Sequence, residues 1–338
     1  MYVLGIETSC DETSVSLLSD DPKVQIIDTL TYSQIELYEQ WGGVVPEIAS
    51  RNHLKKILPL YIDLLKRNNI SEKQIDLIGV TTHPGLLGPL LTGLMLAKSI
   101  SMIHKIPIFP INHLFAHLEA IHLSHKVSYP YLGVVLSGGH SFFSIVKSSN
   151  DIEIFASTID DAAGEAFDKG GKILGLNYPA GVQIDAAAKL GNSTTHKFPR
   201  GLSKDKSTMN MSFSGIKTSI RMFCENKNIE INSAEFNDIC ASYQEAIIDT
   251  VLIKLKIALQ KFNLPIVIGG GVACNSRLRK KASSISESVY FVDPQYCTDN
   301  AGMIAHLAYL NKEFKIPFPQ SLDIEASSRF IDKKSING

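Results

Sequence analysis

Two short stretches of this chain can be laid over each other. Leu4–Leu18 reads LGIETSCDETSVSLL and Leu132–Val146 reads LGVVLSGGHSFFSIV. Each opens on Leu-Gly and an apolar residue, turns through polar or glycine positions, and resumes as an apolar-rich segment, the pattern of strand, turn and strand. The two copies lie about one domain apart. A chain that uses one such unit twice is constrained to two similar α/β lobes with a cleft between them. Its 338 residues fit that reading, since ~150 residues make one domain.

Between the hairpins, strand and helix patterns alternate, as in layered α/β folds. Apolar residues at helical spacing (Ile48, Leu54, Ile57, Leu58, Ile62, Leu65) predict a helix over Glu47–Asn68, with Pro59 able to kink it. A strand is expected over Leu77–Thr82, a helix from Gly85/Gly88 to about His104, a strand over Ile106–Ile111 and a helix through His113–Ser124. Leu264–Ile268 reads as a short buried strand with a helix following near Asn275. Asn192–Met211 is polar and basic (His196, Lys197, Arg200, Lys204, Lys206) and is expected to be a surface excursion, as is the tail from Phe314 on.

Composition excludes several classes. Lys plus Arg (33) nearly cancel Asp plus Glu (34), so nucleic acid is not gripped by bulk charge. Hydrophobics at 44% exclude disorder. The cysteines, Cys10, Cys224, Cys240, Cys274 and Cys297, are odd in number and contain no CxxC pair, which points to neither a disulfide framework nor a zinc ribbon. The most apolar stretch, Gly85–Ala97, is interrupted by Pro89 and falls short of the ~20 residues of a membrane span. No leader pattern precedes Tyr2–Ile6. A cytoplasmic protein with no membrane partner is expected.

Several turns could carry chemistry. His113 and His117 stand four apart at the start of a helix that follows an apolar strand, a spacing suited to a shared metal. A metal-free surface pair is the plainer alternative. Asp299, in a Thr-Asp-Asn triplet before an expected helix, is a candidate third ligand. HExxH is absent, so the general-base glutamate of zincin peptidases is missing. Glu7–Ser14 offers hydroxyls and carboxylates at a hairpin turn, and there is no Walker loop. Ser137–Ser141 places adjacent glycines after an apolar strand, where they form either an anion-binding nest or a tight hairpin. Gly269–Asn275 ends a strand in three glycines and opens a helix, which favours a nucleotide site over a plain turn. Acids beside small residues in Asp160–Gly171 allow Glu165 and Asp168 to face a cleft. Gly181 is a permissive turn residue, and Asp185 can accept from ribose hydroxyls. No GxSxG elbow occurs.

In order along the chain, Gly5–Val15, Gly43–Arg51, His113-xxx-His117, Leu136–His140, Asp160–Lys169, Phe213–Lys217, Gly269–Asn275 and Cys297–Asn300 closely resemble the bacterial-type tRNA threonylcarbamoyl transferase family (TsaD-like), once described as a glycoprotease. The resemblance covers about nine-tenths of the chain. It implies a two-lobed actin/Hsp70/sugar-kinase-like (ASKHA) α/β fold around a nucleotide cleft. The lobes would be residues 1–130 plus 298–338 and residues 131–297. The activity implied is transfer of a threonylcarbamoyl group from threonylcarbamoyl-AMP to the N6 amine of adenosine 37 in tRNAs reading ANN codons.

By position, the family's metal ligands fall on His113, His117 and Asp299, with one divalent metal, iron in the first place and zinc as the alternative. Substrate contacts fall on Val135, Leu136, Ser137, Gly138, Gly139, Asp168, Gly181, Asp185 and Asn275. Asp11 and Glu12 lie in the family's phosphate-side turn, where either could assist proton removal. The implied partners are tRNA, a TsaB-like dimer partner and a TsaE-like P-loop ATPase. Where the family has Tyr-Pro-Gly-Gly-Pro, this chain has Tyr178–Val182 with Ala180, which fits only at negative φ. Cys274 is a small-residue swap in the glycine segment. A metal-dependent glycoprotease would use the same histidines but lacks its glutamate. An ASKHA-type ATPase or kinase shares the fold without needing the pair, and a binding-only subunit would be expected to have lost it.

Overall fold

In the computed structural model every residue is described except 39, 40, 42, 226, 228 and 330–338, so the end of the expected tail lies outside the described residues. The chain divides into two compact units, one from Met1–Ser124 with the chain from Thr298 on, the other His125–Cys297.

The first unit begins with β1 (Tyr2–Glu7), β2 (Glu12–Ser19) and β3 (Gln25–Ser33), a run of antiparallel neighbours. Then come α1 (Ile35–Tyr38), α2 (Pro46–Asn68), β4 (Ile75–His83), α3 (Leu87–His104), β5 (Ile108–Asn112) and α4 (His113–Glu119). Crossover helices allow β4 and β5 to join parallel to β1, giving the order β3-β2-β1-β4-β5. In β1 every residue from Val3 to Glu7 is buried, as expected of a strand covered on both faces. Gly5 and Gly79 sit opposite each other in this sheet. A Cβ on Gly5 would meet the Ala301 carbonyl at 2.2 Å, and one on Gly79 the Ala308 Cβ at 2.6 Å. Two glycines thus let a late helix lie directly on the sheet.

The second unit repeats the plan. β6 (Tyr131–Leu136), β7 (Ser141–Ser148) and β8 (Asp151–Ser157) are antiparallel, and α5 (Ala163–Ile173), α6 (Gly181–Ala188), α7 (Ser214–Cys224) and α8 (Ala234–Phe262) follow. β9 (Ile266–Gly269), α9 (Ser276–Ser283), β10 (Val289–Phe291) and α10 (Pro294–Cys297) complete it, and α11 (Ala301–Leu310) returns to the first unit. The sheet order is β10-β9-β6-β7-β8, the first sheet's order with β5-β4-β1-β2-β3 replaced in turn. The hairpins match in register: Gly5 faces Ser16, and Gly133 faces Ser144. The internal overlay seen in the sequence is therefore a repeated topology.

Local expectations are met with some corrections. α2 runs through Pro59 without ending. Its apolar residues do not form one buried face: Ile57 and Leu65 are buried, whereas Leu54, Leu58 and Ile62 are 71%, 50% and 41% exposed. Pro89 lies in the first turn of α3, where a missing N–H costs nothing, so it does not interrupt the segment. α3 is 18 residues with a hydropathy of 1.2, long and apolar enough to cross a membrane by that measure alone. Its Leu90, Leu94 and Ala97 are buried in the first unit's core. His113–Ser124 is helical only to Glu119, with a 3-10 turn over Ala120–Leu123. Asn192–Met211 is more than an excursion. Lys254 Nζ, from α8, donates to the Asp205 and Thr208 carbonyls at 2.7 and 2.9 Å, and Arg200 pairs with Asp249 at 2.8 Å. The 29-residue α8, absent from the expected elements, is capped by Ser233, which accepts from the Phe236 N–H, and by Asn263 in the left-handed region.

Candidate metal centre and surrounding turns

Two helix caps assemble the centre. Asn112, the last residue of β5, accepts from the N–H groups of Leu114 and Phe115 at 2.9 and 3.3 Å. This cap starts α4 directly off the sheet, so His113 and His117 emerge on one face with their rings 4.7 Å apart. Asn300 caps α11 by accepting from Met303 N–H at 3.0 Å, and Ser14 Oγ accepts from Ala301 N–H at 3.0 Å. Asp299 thereby stands just ahead of a helix start fixed to β2.

Asp299 Oδ1 lies 3.4 Å from His113 Nε2 and 3.2 Å from His117 Nε2, and one ligand atom from each residue falls within 4.8 Å of the others. Metal–ligand bonds of about 2.0–2.2 Å place neighbouring ligands at about this separation. His117 is fully buried, and apart from the Asp299 carboxylate beside its Nε2 neither ring nitrogen has a polar partner. A buried imidazole left orphaned in this way is expensive unless an ion completes it. The residues therefore fit a cation. Two imidazoles and a carboxylate with open positions suit Fe(II) or zinc.

Behind the centre stands Glu7, which the sequence reading placed in the Glu7–Ser14 turn without giving it a role of its own. It is fully buried, and its Oε2 lies 3.0 Å from His113 Nδ1 while accepting from Thr81 Oγ1 at 2.6 Å. Ser9 N–H donates to its other oxygen at 2.5 Å. A carboxylate on Nδ1 fixes the tautomer that presents Nε2 to a metal. Burial opposes the charge on His113, but Asp299 and Glu7 outweigh it and raise its pKa well above the imidazole range. Burial likewise opposes ionisation of Glu7, and His113 overrides it, lowering its pKa. The available signal was a single acid closing an otherwise apolar strand, Tyr2–Glu7.

The turn from β1 to β2 carries Asp11, buried, and Glu12, half-buried. Burial first, then the neighbouring carboxylates, raises Glu12 well above the carboxylate range, and burial also raises Asp11. The nearby Asp299 charge adds to the rise in both. With Asp299 they form a second carboxylate group whose ligand atoms lie within 4.8 Å. His53, from α2, braces the turn: its Nδ1 lies 2.8 Å from Thr13 Oγ1 and its Nε2 3.0 Å from the Cys10 carbonyl. These acids are not the solvated groups of an ordinary hairpin.

In the second unit, Val135 and Leu136 are buried strand residues that lead to a turn closed by Ser137 N–H donating to the His140 carbonyl at 2.8 Å. Gly138 and Gly139 are exposed, and an added Cβ on either would meet nothing within 4 Å. Asp168 Oδ1 accepts from Ala180 N–H at 2.8 Å. Asp185 accepts from Ser276 Oγ at 2.9 Å. Ala180 sits at φ −85, the negative value its replacement of glycine requires, and Gly181 opens α6. Glu165 lies in the first turn of α5, where it accepts from Ala162 N–H. Asn275 caps α9 by accepting from Leu278 N–H at 3.0 Å and donates to Gln244 Oε1 at 2.6 Å. Each end of its amide therefore makes one hydrogen bond within the protein, which leaves one N–H and one lone pair uncommitted by these two bonds. Gly269–Asn275 also does not open directly into an α-helix: a 3-10 turn, Gly271–Cys274, intervenes, with Gly270 at φ +89 tight against the Leu136 carbonyl.

Comparison with known proteins places this geometry. Residues 25–306 match the family model for TsaD, tRNA N6-adenosine threonylcarbamoyltransferase. Proteins of that name from Fervidobacterium nodosum and Thermosipho africanus are 43% and 44% identical to this chain over 312 and 315 residues. The alignments cover 90% and 91% of this chain and 91% and 94% of theirs. Among solved structures, full-length HypF shares the fold with a TM-score of 0.60 at 12% identity, over 92% of this chain and 46% of that one. Component A of the Acidaminococcus fermentans (R)-2-hydroxyglutaryl-CoA dehydratase shares it with a TM-score of 0.54 at 13% identity, over 92% and 98%. With its repeated sheets, the fold is of the actin/Hsp70/sugar-kinase-like α/β type. The chain belongs to the TsaD family, the tRNA N6-adenosine threonylcarbamoyltransferases.

Proposed function

We propose that this transferase moves the threonylcarbamoyl group from threonylcarbamoyl-AMP to the N6 amine of adenosine 37 in tRNAs that read ANN codons. Family membership supports the reaction, and the observation that carries the site is the His113–His117–Asp299 triangle with its orphaned buried imidazole. His113, His117 and Asp299 hold one divalent ion, iron before zinc, and Glu7 orients His113. When bound, the ion supplies Lewis acidity that polarises the carbamoyl end of the substrate.

The exocyclic amine of adenine is a weak nucleophile, so positioning dominates. Gly138 and Gly139 offer backbone N–H groups to the adenylate phosphate across a turn that Ser137 closes with its own N–H and that is open enough for close approach. Val135 and Leu136 anchor that turn, while Asp168, Gly181, Asp185 and Asn275 set the turns beside it. The two aspartates keep lone pairs for ribose hydroxyls beyond those they spend on Ala180 and Ser276. The Asp11–Glu12 pair, both raised first by burial and further by the Asp299 charge, takes the proton released by the attacking amine.

The partners we assign are tRNA, a TsaB-like dimer partner and a TsaE-like P-loop ATPase, all in the cytoplasm. Support for a protein partner comes from α2 and α3, which pack on each other. They leave Leu54, Leu58 and Ile62 of one and Leu87, Leu91 and Met95 of the other exposed, an apolar surface of the kind that marks an interface. The test is a transfer assay with threonylcarbamoyl-AMP, an ANN-reading tRNA and the partner proteins. Product from the metal-loaded wild type and none from H113A is expected. A metal-loaded wild type that makes no product overturns the proposal.

A further inference from the structure

The near-balance of charge conceals an uneven distribution. Residues 125–297 carry 19 Lys and Arg against 16 Asp and Glu, while the rest of the chain carries 14 against 18. Within the second unit a local excess falls on residues 192–211, where Lys197, Arg200, Lys204 and Lys206 stand beside a single acid, Asp205. These cations divide into two kinds. Arg200 is an anchor: its Nη2 lies 2.8 Å from Asp249 Oδ2 on α8, and its Nη1 donates to the Phe198 carbonyl at 2.7 Å. Lys254 of α8 reaches the other way, to the Asp205 and Thr208 carbonyls. The segment is also tied where it begins and ends. Asn192 N–H donates to Asp238 Oδ1 at 2.7 Å, and Met211 N–H to the Ser157 carbonyl at 3.0 Å. Lys197, Lys204 and Lys206, by contrast, are exposed and have no ion-pair partner among the described residues. Asp205 is engaged by Ser207, whose N–H and hydroxyl donate to its Oδ1 at 2.9 and 2.5 Å.

Three uncompensated ammonium groups are thus presented on a backbone held along its length. The basic surface continues across α8, because Asp249 is shared by Arg200 and by Lys281 of α9, and Lys281 and the exposed Lys256 line one groove beside it. The end of the segment leads back towards the glycine turn. Met211 lies alongside the end of β8, where Thr158 N–H donates at 2.8 Å to the carbonyl of Ser141, the residue after the Ser137–His140 turn. Exposed, unpaired lysines attract a polyanion and gain by releasing its counterions. A compact ammonium suits phosphate oxygens, which position a nucleic acid without reading its bases.

We propose that Lys197, Lys204 and Lys206 contact the phosphate backbone of the tRNA substrate, with Arg200 and Lys254 holding their segment in place. The inference rests on the tRNA-modifying reading given above. A polyanion is favoured over a protein because no large apolar side chain between Leu190 and Met222 is exposed, so the surface offers charge without the apolar or aromatic anchors of a protein interface.

The test is binding of a labelled ANN-reading tRNA to the full chain with its partner proteins, followed by fluorescence anisotropy across a salt series. K197A/K204A/K206A should bind about tenfold or more weakly at about 0.1 M salt, and its plot of log affinity against log salt should be shallower by about 2–3. K197R/K204R/K206R should bind as the wild type does. K23A/K66A/K73A removes the same charge from exposed positions of the first unit and should keep the wild-type slope. An alanine variant of the segment with wild-type affinity and slope overturns the proposal. An equal loss in K23A/K66A/K73A also overturns it, since net charge alone would then be responsible, as does a loss in the arginine variant. If the alanine variant keeps its tRNA but releases a partner protein, the surface is a protein contact and the proposal fails. Wild type that binds no tRNA at any salt overturns the tRNA reading itself, and the proposal with it.

Discussion

The two sheets share one strand order and one hairpin register, yet the turns at the same topological place are built from opposite materials. After β1 the turn is crowded with buried side chains: Glu7, Thr8, Ser9 and Asp11. After β6 it is Ser137-Gly-Gly-His140, with both glycines exposed. The first unit adds α4, whose start presents two imidazoles, whereas α10 after β10 presents no histidine. On the function proposed above, the same backbone plan would serve metal and proton chemistry in one copy, where side chains converge, and ligand approach in the other, where side chains are missing. A duplicated scaffold fixes where turns fall, and the residues placed there decide what each turn can do.

The comparison is broken most severely at the metal ligands. H117A should abolish tight binding of one equivalent of metal and, with it, transfer activity, read by metal analysis of the purified chain beside the assay. Retention of stoichiometric metal would remove His117 from the centre. Next in size, E7Q should keep all three ligands but weaken metal affinity by about 10–100-fold, the usual cost of losing an outer carboxylate on a ligating histidine. Competition with a chelator measures this. A variant with unaltered affinity would make Glu7 a packing residue only.

Glycines sharpen the contrast further. G5A forces a Cβ into the Ala301 carbonyl and should cost about 1–3 kcal/mol or more by overpacking, seen in denaturant unfolding. G138A meets open space and should shift stability by less than about 0.5 kcal/mol, while weakening binding of AMP. Equal stability losses in both variants would contradict the distinction between packing and ligand-facing glycines.

A smaller effect separates the units by pH. Burial holds His306 at about 3 and also lowers His53, so both are neutral in the first unit. The unfolded chain binds these protons below about 6.5, so their contribution to stability is present above that pH. It is lost as pH falls towards 3. Unfolding free energy should decline between pH 7 and pH 5, and H306Q should flatten the slope. An unchanged slope in H306Q would place the acid sensitivity elsewhere.

Local pattern made much of this molecule legible. The hairpin overlay, the His113/His117 spacing, Asp299 before a helix and the glycine turns all lie in short windows, where periodicity and turn chemistry speak directly. It was misleading where burial depends on a distant neighbour. α2 looks like one apolar face, but only the side against the sheet is covered, so Leu54, Leu58 and Ile62 stay exposed. Arg200 reads as part of a surface excursion until it is seen pairing with Asp249, while Lys254 holds the Asp205 and Thr208 carbonyls of the same segment.

Sequence by itself determined that there would be two copies of one α/β plan, where their turns would fall and which residue types would occupy them. Only the tertiary structure decided that Asp299 meets histidines nearly two hundred positions earlier, that Glu7 stands behind His113, and that Asn275 spends its amide on Gln244 and Leu278. The physical reason is range. Backbone preference and turn chemistry act over a few residues, whereas coordination, desolvation and hydrogen-bond satisfaction depend on which distant groups packing brings within about 3 Å.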